Sequence, residues 1–108
     1  MSAELLFSGP VAGVSFRKEA LQRFVHKHQE ADCGNKLLWL VAEPDNKFDR
    51  MAIRVLADGE FVGYIPKQHC YKIHQAGIRN VKTNFVSFTA HDDEICGLVV
   101  EVVKNSDG

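Results

Sequence analysis

The chain lacks what a membrane anchor, a disulfide scaffold or a metal centre would need. No segment approaches the roughly 20 consecutive apolar residues that cross a bilayer, and the first residues show no basic region followed by a long apolar run. The expectation is a cytoplasmic protein with no membrane partner. Cysteine is sparse: Cys33, Cys70 and Cys96 are odd in number and widely spaced, which argues against a disulfide framework and for buried thiols in a reducing compartment. Zinc would need closely spaced thiol or imidazole pairs. Only His69-Cys70 and His26-x-His28 occur, with no Cys-x-x-Cys, so no metal or other cofactor is expected.

Excess positive charge is missing as well. A formal net charge of −1 argues against a protein that coats duplex DNA, because such binders need many Lys and Arg to displace counterions from phosphates. Any nucleic-acid contact must be local. Charges do segregate: Arg17, Lys18, Arg23, His26, Lys27 and His28 form a basic stretch, and Glu30 to Asp32 and Asp92 to Glu94 are acidic. A solvated helix face accounts for the former. No Gly-x-Ser-x-Gly elbow and no phosphate-cradling glycine loop appear, so ATP hydrolysis and nucleophilic catalysis have no support.

What is present suits a globular domain. At 108 residues, with 45% hydrophobic and 25% charged residues, the chain can bury a core without staples. One domain is expected, with a core from about residue 5 to 103 and a frayed tail over 104–108. Leu5-Leu6-Phe7 and Val11 to Val14 read as short strands around Gly9-Pro10. Phe16, Ala20, Leu21, Phe24 and Val25 recur at helical spacing and predict a helix over about 17–28, with its apolar face on one end of the strand structure. Asp32-Cys33-Gly34-Asn35 reads as a loop, and residues 36–43 as a strand stopped by Pro44, which has no N–H to pair.

Pro44 to Asp49 is rich in side chains that bond their own backbone and reads as a structured turn. Met51 to Leu56 returns as a strand, Asp58-Gly59 predicts a type I′ hairpin into Glu60 to Ile65, and a three-stranded meander results. Pro66 ahead of Tyr71, Ile73 and Ala76, with Gly77 after them, marks a short helix. Residues 80–90 and 95–103 read as two further strands. The fold class expected is mainly β: a small, partly closed β-barrel of the OB-like or SH3-like kind with two short helices.

The segment Leu40-Val41-Ala42-Glu43-Pro44-Asp45-Asn46-Lys47-Phe48-Asp49, followed by Ala52-Ile53-Arg54-Val55 and Phe61-Val62-Gly63-Tyr64-Ile65-Pro66, sets an aromatic beside a carboxylate in a polar turn between apolar strands. It resembles the HIRAN domain, a small β-barrel found on fork-remodelling DNA translocases and as free-standing bacterial proteins. Val11-Ala12-Gly13-Val14-Ser15-Phe16 is similar to that family's first strand, and the resemblance spans roughly residues 8–80. It implies recognition of single-stranded DNA at a free 3′-hydroxyl end, without catalysis, in the service of a helicase, nuclease or other repair enzyme. By the same resemblance Phe48 stacks on the terminal base, Asp49 receives the 3′-hydroxyl, Asn46 hydrogen-bonds the terminal nucleotide, Phe16 supplies a second stacking wall and Lys67 contacts a phosphate. Tyr64 stands where family members can carry His. The pattern departs at Ser15, where the best-known eukaryotic members have Arg, and at Phe48, where Tyr is commoner; Arg17 is the nearby cation that can substitute.

The residues alone leave other accounts open. Asn46 and Asp49 could simply order the turn, Phe16 could join the helix's core face, and Tyr64 could be a strand residue with a surface hydroxyl. A protein-interaction module using the same groove for a peptide is the alternative function. A metal-dependent nuclease drawing on Glu43, Asp45 and Asp49 is a third.

Overall fold

Two antiparallel sheets of three strands each, with two helices, make up the structure, a computed structural model that describes residues 4–31 and 38–104. The first sheet has the order β1-β6-β5, from β1 (Glu4–Pro10), β5 (Val81–His91) and β6 (Glu94–Lys104). The second is the meander β2-β3-β4, from β2 (Leu38–Ala42), β3 (Ile53–Ala57) and β4 (Glu60–Tyr64). Helix α1 spans Lys18–Ala31 and α2 spans Lys67–Ala76. Mainly β with two helices is therefore correct. The Asp32–Asn35 loop, Cys33, the start of the 36–43 strand and the end of the tail lie outside the described residues.

Local chemistry explains most of these elements. Asp58 and Gly59 both take positive φ (54° and 81°), the type I′ arrangement whose twist matches its flanking strands. Asp92 and Asp93 do the same (52° and 63°) between β5 and β6, a hairpin the sequence reading left unassigned; Asp is among the few non-glycine residues that tolerate this region. Pro66 is the N-cap of α2, and Gly77 at φ 92° ends it by donating its N–H to the Ile73 and His74 carbonyls.

Gly9-Pro10 does not divide two strands: β1 runs through both residues to Pro10, which pairs with Val99. Proline is tolerated there because β1 is an edge strand and Pro10 its last residue. Residues 11–14 make only a single bridge, at Ala12, before a short 3-10 helix over Val14–Phe16. A register shift between Leu5 and Phe7 turns the adjacent Leu6 and Phe7 both into the core.

The core lies between the sheets. Leu98, Val100 and Val102 of β6, Ile53 and Val55 of β3, Val62 of β4 and Ile73 of α2 are fully buried in it, with Leu21 and Phe24 of α1. Phe24 meets the Phe88 ring edge-on at 5.8 Å. Helix α1 also ties the sheets together at the surface. Gln22 donates to the Ile95 carbonyl of β6 (2.9 Å), while Arg23 forks onto Glu60 (2.8 Å to each oxygen) and Lys27 pairs with Asp58. A second tie is the Ala12–Tyr64 bridge, with both hydrogen bonds at 2.8 Å. It requires Gly63, because an added Cβ would overlap the Ala12 carbonyl oxygen and Val11. Among the described residues no helix is long and apolar enough to cross a membrane.

Candidate functional site

The turn between β2 and β3 is built around one asparagine. Asn46 Oδ1 accepts the N–H groups of Phe48 (2.8 Å) and Asp49 (3.0 Å), while its Nδ2 donates to Glu43 Oε1 (2.9 Å). Asp49 Oδ1 in turn accepts the Met51 N–H (2.9 Å). These are the side-chain-to-backbone bonds expected of Asx turns. Their consequence is that Phe48 is held at the tip with its ring 96% exposed.

Glu43 is the centre of a network that the sequence reading did not assign. It accepts from Asn46, from the Tyr64 hydroxyl (3.0 Å) and from Arg54 Nε. The Asn46 hydrogen bond, helped by those from Arg54 and Tyr64, holds the Glu43 carboxyl below its ordinary range. Burial pushes the Tyr64 phenol up, and its bond to Glu43 adds to that shift. Arg54 was legible only as an outward position of β3, between buried Ile53 and Val55.

Five of the seven expected residues line one cavity. Asn46, Phe48, Asp49, Tyr64 and Lys67 surround a space of about 350 Å³ floored by Ala12, Ala52 and Ile65. Lys67 reaches it as the first residue of α2, and His74 of the same helix donates Nε2–H to the Met51 carbonyl (2.9 Å), anchoring the turn to the helix. Among the described residues Asp49 Oδ2 and Lys67 Nζ make no hydrogen bond, so one acceptor and one cation remain available at the rim.

Phe16 and Arg17 stand in a neighbouring cavity of about 460 Å³, with Phe61. Phe16 is 84% exposed, which removes it from the helix's core face: the 3-10 helix that carries it ends before α1 begins. Arg17 links the two cavities, its guanidinium 3.9 Å from the Phe61 ring centroid and 5.6 Å from that of Tyr64.

Cys70 is buried, and burial raises its thiol pKa, but Cys96 is exposed on β6, contrary to the reading of buried thiols. Among the described residues no three His, Cys, Asp or Glu side chains converge to hold a metal ion. Glu43 faces Arg54, Asn46 and Tyr64 instead.

No protein-family model matches this chain, and neither a curated protein nor a solved structure matches it.

Proposed function

We propose that this protein is a HIRAN-like recognition module that binds single-stranded DNA at a free 3′-hydroxyl end and performs no catalysis itself. The observation that carries the reading is the Phe48 ring, held 96% exposed on the rim of a cavity that also contains Asp49 and Lys67. A ring this exposed has its faces open to a ligand and offers about 1–3 kcal/mol of stacking to a base. Asp49 Oδ2 is the acceptor for a hydroxyl donor, and a carboxylate at that place repels a 3′-phosphate. Lys67 supplies a local countercharge for the adjoining phosphodiester, so recognition needs no basic surface and is compatible with a net charge of −1.

In this reading the two sheets, joined at Ala12–Tyr64, form a partly closed barrel whose open side carries the site. The module works in the cytoplasm and delivers end specificity to a helicase, nuclease or other repair enzyme. The test is binding of a labelled strand ending in a 3′-hydroxyl against the same strand ending in a 3′-phosphate and against duplex; equal affinities for the two ends would contradict end recognition.

A peptide-binding module is the second reading, favoured by the exposed apolar side chains Val41 and Phe48, which line a cavity of about 630 Å³ together with Arg54 and Tyr64. Salt separates the two. Phosphate-driven association weakens steeply with added salt, and docking on apolar surface does not.

A further inference from the structure

The outer face of the β2-β3-β4 sheet carries aromatic and cationic side chains of which the end-recognition cavity uses only Tyr64. In β3, Ile53, Val55 and Ala57 are buried, so Arg54 and Leu56 face outward. Their cross-strand partners complete two rows: Val41, Arg54 and Tyr64 beside the turn, then Trp39, Leu56 and Phe61 one pleat further away. Simple alternation along β4 would place Phe61 inward, with Gly63. A bulge prevents this: Val55 pairs with Gly63 and Leu56 with Phe61, leaving Val62 unpaired. Val62 and Gly63 therefore both turn into the core while Phe61 and Tyr64 both turn out, their rings 5.0 Å apart and at 86°. Re-aiming a side chain is what such bulges do beside functional sites.

Cations sit on this aromatic pair. Arg17 lies 3.9 Å and Arg54 4.6 Å from the Phe61 centroid. Arg54 is paired with Glu43, whereas among the described residues the Arg17 guanidinium donates only to the Gly13 carbonyl (3.1 Å) and makes no ion pair. An arginine plane laid on a ring presents its own outer surface to a base and its charge to a phosphate. Trp39, the single tryptophan, is 54% exposed in the same row as Phe61.

We infer that this outer face is a second binding site, a stacking tract for the nucleotides that precede the 3′ end, running from Phe48 over Tyr64 to Phe61 and Arg17 and flanked by Trp39 across Leu56. The inference rests on the proposed end recognition and adds a footprint to it. The occupant is single-stranded nucleic acid because the tract is continuous with the Phe48 cavity, sharing Tyr64 with it, and because its uncommitted charge, Arg17, is positive. Phe48 and the two or three planar surfaces beyond it correspond to a site of about four nucleotides, the low end for small β-barrel binders.

The test titrates the full chain with oligothymidylates ending in a 3′-hydroxyl, from a dinucleotide to a decanucleotide, reading anisotropy of a 5′ label and, on unlabelled strands, Trp39 emission. The tract predicts affinity that rises with length to a plateau at about four nucleotides, and Trp39 quenching by these strands but not by the dinucleotide. Phe61→Ala lowers decanucleotide affinity about tenfold and leaves dinucleotide affinity and 3′-hydroxyl preference unchanged. Should that variant fail to fold, Phe61→Leu, which keeps the apolar bulk but removes the planar face, lowers decanucleotide affinity by a similar factor and leaves dinucleotide affinity unchanged. Hydroxyl-selective binding that does not grow beyond the dinucleotide, with Trp39 emission unchanged, would overturn the tract and leave end recognition standing. Absence of binding at every length would overturn both. A dimer in sedimentation equilibrium that Phe61→Ala dissolves would assign the face to a second copy and overturn the tract.

Discussion

Replacing Glu43 with glutamine tests how the fold holds the site. The side chain is 14% exposed and accepts hydrogen bonds from Asn46, Arg54 and Tyr64. Glutamine keeps one oxygen for Asn46 and Tyr64 but sets an amide donor against Arg54, converting an ion pair into two opposed donors. Hydrogen bonds to charged groups are worth about 1.5–3 kcal/mol. Arg54 is 43% exposed, so solvent screening reduces the loss to about 1–2 kcal/mol. For a domain of this size that is a fall in Tm of roughly 5–10 °C at pH 7. The sign with pH is fixed too. Glu43 has its pKa lowered in the folded state, so its stabilisation is fully present above the ordinary value of 4.5 and is lost as pH falls through the folded value. Melting curves of wild type and Glu43→Gln followed by circular dichroism should therefore differ by a constant amount from pH 8 to about pH 5 and converge below it. A difference that is absent at pH 7, or that persists unchanged in acid, would refute the network as described.

Three further outcomes follow from particular contacts. Gly63→Ala forces a Cβ into the Ala12 carbonyl oxygen, and because backbone cannot swing aside the expected loss is about 1–3 kcal/mol in urea titration, with the Ala12–Tyr64 bridge opened. Phe48→Ala removes an almost wholly exposed ring, so Tm stays within about 1 °C while single-strand affinity falls roughly 5- to 150-fold, the equivalent of one stacked base. Native protein treated with a disulfide reagent at neutral pH should modify Cys96 rapidly and leave Cys70 unmodified until urea is added, since Cys70 is buried with a raised pKa and Cys96 is exposed; mass mapping of the modified peptides checks this.

Elements defined by local chemistry were legible in the chain. The apolar period of Ala20, Leu21, Phe24 and Val25, the Asp58-Gly59 turn, and Pro66 and Gly77 around a short helix each carry their own physical signal, and the structure has α1, the β3-β4 hairpin and α2 at those places. What escaped depends on sheet context. Gly9-Pro10 reads as punctuation unless Pro10 is known to end an edge strand. Phe16 falls in helical register with Ala20 but precedes the helix, so its ring turns to solvent. The bulge at Val62 reverses the alternation from which the direction of Phe61 would be inferred. The site divided in the same way. The turn residues Asn46, Phe48 and Asp49 are neighbours in sequence and were found as a motif. Glu43, Arg54 and Tyr64 meet only across three strands, and the sole sequence sign of Arg54 is a charge between two buried β-branched residues.

The most direct test of the account is fluorescence anisotropy of one labelled single strand ending in a 3′-hydroxyl and of the same strand ending in a 3′-phosphate, on wild type and Asp49→Ala. End recognition predicts at least tenfold tighter binding of the hydroxyl end by wild type, from repulsion and a lost hydrogen bond together worth about 1.4 kcal/mol or more. It also predicts that Asp49→Ala abolishes that preference. Equal binding of both ends by wild type, or a preference that survives loss of Asp49, would contradict it.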